Sequence, residues 1–164
     1  MQTLAQNYGF VNAIGAADQN AASLSKSNAT YISMKGYNKV TFIIAGGAVG
    51  DAAWSANAYR AKSVSGSSIS STALGLTHYW TNKSSTGTTV LTRTTASSSK
   101  VTLDGTNSIL TILEYDAKQC GSSYDCIGLA ITNNATASTF VQVIAILHDA
   151  RYAADGMPIN ALAD

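Results

Sequence analysis

The sequence predicts an all-β protein, an antiparallel jelly-roll-like β-sandwich with extended N- and C-terminal arms. Along most of residues 30–152, apolar and polar residues alternate with a period of two. The predicted strands recur about every ten residues and are separated by turns rich in Gly, Ser and Asn. The only proline, Pro158, lies outside every predicted strand, as a sheet requires. This regular spacing is typical of a sandwich or barrel, and we expect eight or nine strands in two sheets.

The first half of this region alternates strands with short turns. Residues 31–35 predict a strand, and residues 40–45 predict a mostly buried strand that stops at two glycines. Residues 53–61 also predict a strand, although their alanines would equally allow a helix. Residues 73–80 predict the next extended segment, which ends at the polar stretch after Trp80.

The second half continues the same pattern. Residues 88–94 are β-branched and alternating, residues 100–103 predict a short strand, and residues 108–115 predict a strong one. In residues 124–132 the apolar positions alternate cleanly, with Cys126 out of phase with Ile127. The most apolar stretch, residues 139–148, predicts a central core strand.

The two ends of the chain differ from the middle. Residues 1–29 and 153–164 hold scattered apolar residues with no lasting period. The apolar residues are too many for a solvated linker, and their spacing is too irregular for a core element. Two interpretations of these segments remain: frayed termini, or arms that become ordered against neighbouring subunits. We therefore divide the chain into an N-terminal arm (1–29), a β-sandwich domain (30–152) and a C-terminal tail (153–164).

Charged residues are scarce in this chain. Asp, Glu, Lys and Arg make up 12% of it, against about 25% in an ordinary soluble domain. Because few ions must lose their water, such a surface is cheap to desolvate, which suits a protein that lies against neighbours. The formal net charge of +1 argues against electrostatic binding of nucleic acid or an anionic membrane. We expect no transmembrane segment and no secretory signal at the N-terminus.

Candidate catalytic groups are few. His148-Asp149 ends the most apolar strand, but no Gly-x-Ser-x-Gly motif accompanies it, and we expect Asp149 and Arg151 to form a polar clamp instead. We interpret His78 as a sheet residue beside aromatic neighbours. Glu114 and Asp116 are the two residues that come closest to a catalytic carboxylate pair. We predict no enzyme activity, no metal site and no cofactor.

The two cysteines, Cys120 and Cys126, are five residues apart. With no histidine nearby they make a poor zinc site, because zinc takes four ligands. Two interpretations stay open: buried thiols, with Cys126 at the start of an apolar strand, or a short loop disulfide.

Four stretches resemble a group of small structural proteins of tailed bacteriophages: residues 1–7, 31–37, 124–127 and 146–152. The resemblance spans nearly the whole chain and implies a capsid decoration (cement) protein without catalytic residues. It implies self-association, for which we expect a homotrimer, and binding to the major capsid protein. It also implies a place on the virion surface after assembly in the host cytoplasm. The expected partner-binding residues are Leu4, Tyr8, Phe10, Val11, Ile14, Asp149, Arg151 and Tyr152.

Two alternatives remain from the sequence. A carbohydrate-binding β-sandwich would use Trp54, Tyr59, Tyr79 and Trp80 as a stacking platform. A tail or fibre component would keep the structural role at a different place in the particle.

Overall fold

The computed structural model describes residues 8–19, 25–47, 54–84, 90–96, 98–103, 108–133 and 139–151. Within these ranges the chain forms ten β-strands and one short 3₁₀ helix. The all-β prediction is confirmed. The elements in chain order are β1 (Gly9–Gln19), β2 (Tyr31–Ser33), β3 (Tyr37–Gly46), β4 (Trp54–Ala61), β5 (His78–Ser84), β6 (Thr92–Thr95), β7 (Val101–Leu103), β8 (Ser108–Asp116), the 3₁₀ helix η1 (Ala117–Cys120), β9 (Cys126–Asn133) and β10 (Thr139–Ala150).

The strands form two antiparallel sheets. The larger sheet has six strands in the order β1-β10-β3-β8-β5-β6, and the smaller has four in the order β2-β9-β4-β7. All the described pairings are antiparallel. Successive side chains of each strand therefore point alternately into the space between the sheets and away from it.

The core is made of the inward-facing side chains of both sheets. Trp54 of β4 is fully buried, and Phe42 of β3 meets Tyr115 of β8 edge to face with ring centroids 6.2 Å apart. β10 lies inside the larger sheet, as predicted for the most apolar stretch. The aliphatic part of the core includes Val40, Ile44, Leu113, Ile127, Leu129, Ile131, Val141, Val143 and Leu147.

The outer face of the smaller sheet is covered by the chain itself. Tyr31, Ala61 and Cys126 form a second buried cluster, against which Val64 and Ile69 of the segment after β4 pack. The same segment occupies the edge of β4, where Ser70 N donates to Arg60 O and Leu74 N donates to Ala58 O. As a result, both faces of the smaller sheet are packed near β9.

The first correction concerns the N-terminal arm. Residues 9–19 are not an arm but the edge strand β1, which pairs with β10. Its register shifts between Asn12 and Ile14 and again between Ile14 and Ala17. These irregularities break the period of two, so the strand is hidden in the sequence. Residues 1–7, 20–24 and 152–164 lie outside the described residues, and the domain boundaries at 29/30 and 152/153 stay predictions.

Three other segments differ from or refine the expectation. Residues 54–61 are a strand and not a helix. In 73–80 only the last residues are extended, since β5 begins at His78, and Leu74 is buried in the covering segment. In 88–94 the strand begins at Thr92, while Thr88 and Thr89 lie outside the described residues.

Candidate interaction surface

A row of apolar side chains crosses the outer face of the six-stranded sheet. Ile144 of β10 lies opposite Ile43 of β3, which lies opposite Ile112 of β8, which in turn lies opposite Trp80 of β5. Ile144, Ile43 and Ile112 have the opposite parity from the buried residues of their strands, and Trp80 alternates with Tyr79, which packs against the core, so all four point away from the core. We call this set the apolar row.

Further apolar residues widen the row on both sides. On one side of the apolar row Phe10 lies opposite Ile146, and on the other side Ala45 lies opposite Leu110. Phe10, Trp80, Leu110 and Ile144 are 48%, 36%, 36% and 37% exposed. Contiguous exposed apolar side chains of this kind mark interaction sites more often than ordinary surface. We call the apolar row together with Phe10, Ala45, Leu110 and Ile146 the apolar face.

One end of the apolar face is bordered by a polar cluster. Lys39 Nζ donates to Glu114 Oε1 at 3.0 Å, and His148 Nε2 lies 2.8 Å from Thr41 Oγ1 and 3.7 Å from Glu114 Oε2. The Tyr8 ring lies 6.3 Å from the His148 ring. The hydrogen bond to Glu114 is the main cause that raises the pKa of Lys39. The charges of this cluster are therefore largely matched within the chain.

The polar cluster does not have the geometry of a catalytic triad. In a triad the nucleophile and the carboxylate contact different nitrogens of the imidazole, which lets the ring pass a proton between them. Here Thr41 and Glu114 both approach the same atom, His148 Nε2. The arrangement suits a hydrogen-bonded cross-strand cluster better than proton relay.

The other residues singled out for chemistry lie apart. Glu114 points to the outer sheet face and is bound to Lys39, while Asp116 begins the turn into η1, where its backbone N–H donates to Gln119 Oε1. Among the described residues, no group of three or more His, Cys, Asp or Glu could hold a metal ion. Within the same residues, no helix is long and apolar enough to cross a membrane.

Both cysteines are buried and unbonded to each other. Burial is the main cause that raises the pKa of the Cys120 thiol to about 11, followed by the charge of Asp125. Cys126 lies in the second cluster, on the face of β9 opposite Ile127, as its phase in the sequence indicates. Its Sγ donates to Asp125 Oδ1.

The proposed aromatic platform is wrong in its geometry. Trp54 is fully buried between the sheets, and Tyr79 packs on the core from β5. Tyr59 packs on the second cluster outside the smaller sheet, where Lys26 Nζ lies 5.5 Å from its ring centroid. Trp80 lies on the outer face of the larger sheet. These four aromatic rings occupy separate places and offer no common stacking surface for a sugar.

The expected partner-binding residues divide into three groups. Tyr8 is exposed beside the apolar face and Phe10 is part of it, whereas Val11 and Ile14 are a correction, because they point into the core. Asp149 lies at the end of β10 and Arg151 just after it, and Arg151 Nε donates to Asn38 Oδ1 while its backbone N–H donates to Gly36 O, so Arg151 ties the end of β10 to the start of β3. Leu4 and Tyr152 lie outside the described residues.

The sequence reading missed the outward-facing isoleucines, although a signal for them exists. Residues 42–44, 109–113 and 143–147 contain neighbouring apolar residues instead of strict alternation. In an antiparallel sheet with one solvated face, alternation is the rule, so continuous apolar runs indicate that both faces are covered. The sequence predicts a mostly buried strand at 40–45 and a core strand at 139–148, but the runs alone do not tell which side of each strand faces outward.

A shallow polar pocket lies at the end of β4. It is lined by Lys62, Ser122, Ser123, Tyr124 and Asp125. Asp125 already pairs with Lys35 at 3.4 Å, so its charge is partly matched.

No protein-family model and no curated protein matches this sequence. Among solved structures, the chain is similar to one described as the crystal structure of SPBc2 prophage-derived protein YomS. The TM-score is 0.46 and the sequence identity is 10%, with 85% of this chain and 93% of that chain covered. A likeness of this size does not identify a family.

Proposed function

We propose that the chain is a structural virion protein, a capsid decoration subunit that self-associates as a homotrimer and binds the major capsid protein on the phage head surface. The observation that carries this proposal is the apolar face, a broad and nearly uncharged surface on a body with a large buried core. The chain resembles small phage structural proteins in residues 1–7, 31–37, 124–127 and 146–152, and this resemblance supports the same role. The role requires no catalysis and no cofactor.

The proposal includes a jelly-roll architecture. If β5 and β6 are treated as an inserted hairpin, the remaining eight strands fall into two four-stranded sheets, β1-β10-β3-β8 and β2-β9-β4-β7. In one sheet the first strand, β1, lies beside the last, β10. In the other sheet the second strand, β2, lies beside the next-to-last, β9. Such nesting of the two chain halves supports a jelly roll of two Greek keys, an arrangement found in viral capsid domains.

The mechanism is the burial of many weak, uncharged contacts. Each buried Å² of apolar surface contributes about 25 cal/mol before the cost of fixing the subunit. Repetition over a closed shell multiplies a modest affinity at each site. A symmetric trimer matches the local threefold axes of such a shell. Residues 9–19 belong to the sheet, so the expected N-terminal arm enters this mechanism without them.

Immunogold labelling of purified particles tests the proposal. Antibodies against the purified chain should label intact phage heads at regular density, and particles from a strain that lacks the gene should stay unlabelled. Labelling confined to the tail would replace this proposal with the tail or fibre alternative. Particles free of the protein would contradict both.

The carbohydrate alternative has its own test. A glycan array probed with the purified chain should show no saturable binding, because the four aromatic residues share no surface. Saturable binding that is lost in Trp80→Ala would favour the carbohydrate-binding function instead.

A further inference from the structure

We infer that the apolar face is the surface through which this chain associates with a second copy of itself. This inference deepens the proposed structural role by naming the surface and the partner.

The first step is the charge of the face. Ile144, Ile43, Ile112 and Trp80 cross four strands without an ionised side chain, and the row continues on β6 with one cation, Arg93, opposite Trp80. At the border, Lys39 is already bound to Glu114 at 3.0 Å. Nucleic acid and anionic lipid are recognised by clustered, unpaired Lys and Arg. A partner of uncharged apolar surface fits this face better than either polyanion.

The second step is the area. Six strands spaced about 4.8 Å apart, each contributing about eight residues at about 3.4 Å, present roughly 780 Å² of sheet face. A standard stable interface buries about 800 Å² on each partner. The outer face of the six-stranded sheet is therefore large enough for one specific protein contact, whereas a small ligand would leave most of it bare.

The third step is the identity of the partner. The chain covers part of the outer face of its smaller sheet, near β9, with its own segment through Val64 and Ile69, while the larger sheet displays Trp80, Leu110 and Ile144. A second copy brings the same uncharged apolar residues, and a net charge of +1 per chain produces little repulsion between copies. Sheet faces that pack against each other exclude water from both, so the same face on a second copy would cover these residues.

The experiment is sedimentation equilibrium of the whole chain from about 1 to 100 µM, a range that brackets interfaces of micromolar affinity. The wild type should reach two or three times the 17.0 kDa of one chain. Ile43→Lys, which places a charge at the centre of the apolar row, should remain at 17.0 kDa throughout. The matched control, Thr72→Lys, places the same charge at an exposed position in the segment that covers the smaller sheet and should associate like the wild type.

A second measurement needs no variant and therefore does not depend on folding of Ile43→Lys. Trp54 is fully buried in the monomer, whereas Trp80 is 36% exposed on the apolar face. Dilution of the wild type should shift the fluorescence emission to the red over the same concentrations at which the mass falls. Trp80→Phe should abolish the shift, because the remaining Trp54 is buried in either state.

The outcomes separate this inference from the proposed function. A wild-type mass of 17.0 kDa at every concentration, or an association that Ile43→Lys leaves intact, overturns the inference, and so does binding of the monomer to phosphatidylcholine vesicles through Trp80. None of these results affects immunogold labelling of particles. Conversely, an oligomer that dissociates in Ile43→Lys supports the inference even when no particle is labelled.

Discussion

Gly46 of β3 provides the space that the indole of Trp54 occupies. A Cβ atom at position 46 would lie 2.5 Å from Cη2 and 2.6 Å from Cζ2 of Trp54. Real Cβ contacts are never this short, so one of the two groups would have to move. Since Trp54 is fully buried and Gly46 pairs with both Ile109 and Val141, neither group moves freely. The contact joins the larger sheet to the smaller one.

Gly46→Ala should therefore destabilise the protein by about 1 to 3 kcal/mol, the usual cost of overpacking a core. The measurement is urea unfolding followed by far-UV circular dichroism. Gly75→Ala is the matched control, because a Cβ there would meet no atom within 4 Å. The control should change the free energy of unfolding by less than about 0.5 kcal/mol. Equal stability of the two variants would contradict this packing.

Alkaline pH should weaken the fold through Tyr31 and Cys120. Burial is the main cause that raises the pKa of Tyr31 from 10.0 to about 12 and that of Cys120 from 9.0 to about 11. Because the folded state holds these protons more tightly than the unfolded state, stability is complete below the unfolded pKa values and is lost as pH rises through the folded ones. The free energy of unfolding should fall between pH 9 and 12, by at most about 1.4 kcal/mol per pH unit for each group.

Tyr31→Phe tests the contribution of the tyrosine. This variant loses the hydrogen bond that the Tyr31 hydroxyl donates to Lys26 O at 2.9 Å, so it should be less stable than the wild type at pH 8. Its stability should then fall less steeply from pH 9 to 12. A wild-type stability that stays flat to pH 11.5, or the same slope in both proteins, would show that the burial of Tyr31 is not coupled to its ionisation.

Arg60 should keep Cys120 inaccessible. The Arg60 Nη1 donates to Gln119 O at 3.1 Å and approaches Cys120 O at 3.5 Å, and its guanidinium lies 5.1 Å from the Tyr124 ring centroid. In the native wild type, both thiols should react slowly with a disulfide reagent. Arg60→Ala removes about 1.5 to 3 kcal/mol of charged hydrogen bonding and should accelerate labelling of Cys120 at least about tenfold.

Two controls complete the thiol experiment. Lys62→Ala removes an exposed cation near the same loop and should leave the labelling rate unchanged. Cys120→Ser identifies which thiol reacts. Rapid labelling of the native wild type, or an intact mass two hydrogens below the reduced value, would contradict two buried thiols.

The pair Thr81 and Thr111 should behave as a coupled unit. Thr111 is buried, and the two hydroxyl oxygens are 3.1 Å apart between β5 and β8. Thr111→Val leaves the Thr81 hydroxyl without this partner and should cost about 1 to 2 kcal/mol. Thr81→Val together with Thr111→Val should recover part of that loss, so a double-mutant cycle should give a coupling energy of at least about 0.5 kcal/mol. Strict additivity would show that the hydroxyls do not interact.

Much of the fold could be predicted because its interior strands are apolar, β-rich segments between turn residues. β9 follows from alternating apolar residues, while β3, β8 and β10 follow from apolar runs bounded by Gly, Asp or Asn. β1 could not, because its bulges shift the phase between Asn12 and Ile14. Leu74 and Leu76 alternate and so predict an extended segment, yet they lie outside the strands, where Leu74 is buried in the main core and Leu76 packs against it.

The apolar face was harder to predict than the fold. An alternation with period two identifies the two faces of a strand but does not say which face meets the other sheet. Around Ile43 and Ile112, the residues on both faces of the strand include apolar ones. Only the register across four strands shows that these residues line up with Ile144 and Trp80. The arm residues were chosen because their pattern was irregular, which explains why Val11 and Ile14 were assigned to a partner instead of the core.

Hydroxyl-radical footprinting of the wild type at low and high protein concentration tests the central claim most directly. Oxidation of Trp80 and Phe10 should fall as concentration rises, because the apolar face becomes covered by another copy. Oxidation of Tyr124, on the loop that leads into β9, should stay constant. Unchanged oxidation of Trp80 and Phe10 under conditions in which the protein associates would contradict the claim that this face is where the chain meets its neighbours.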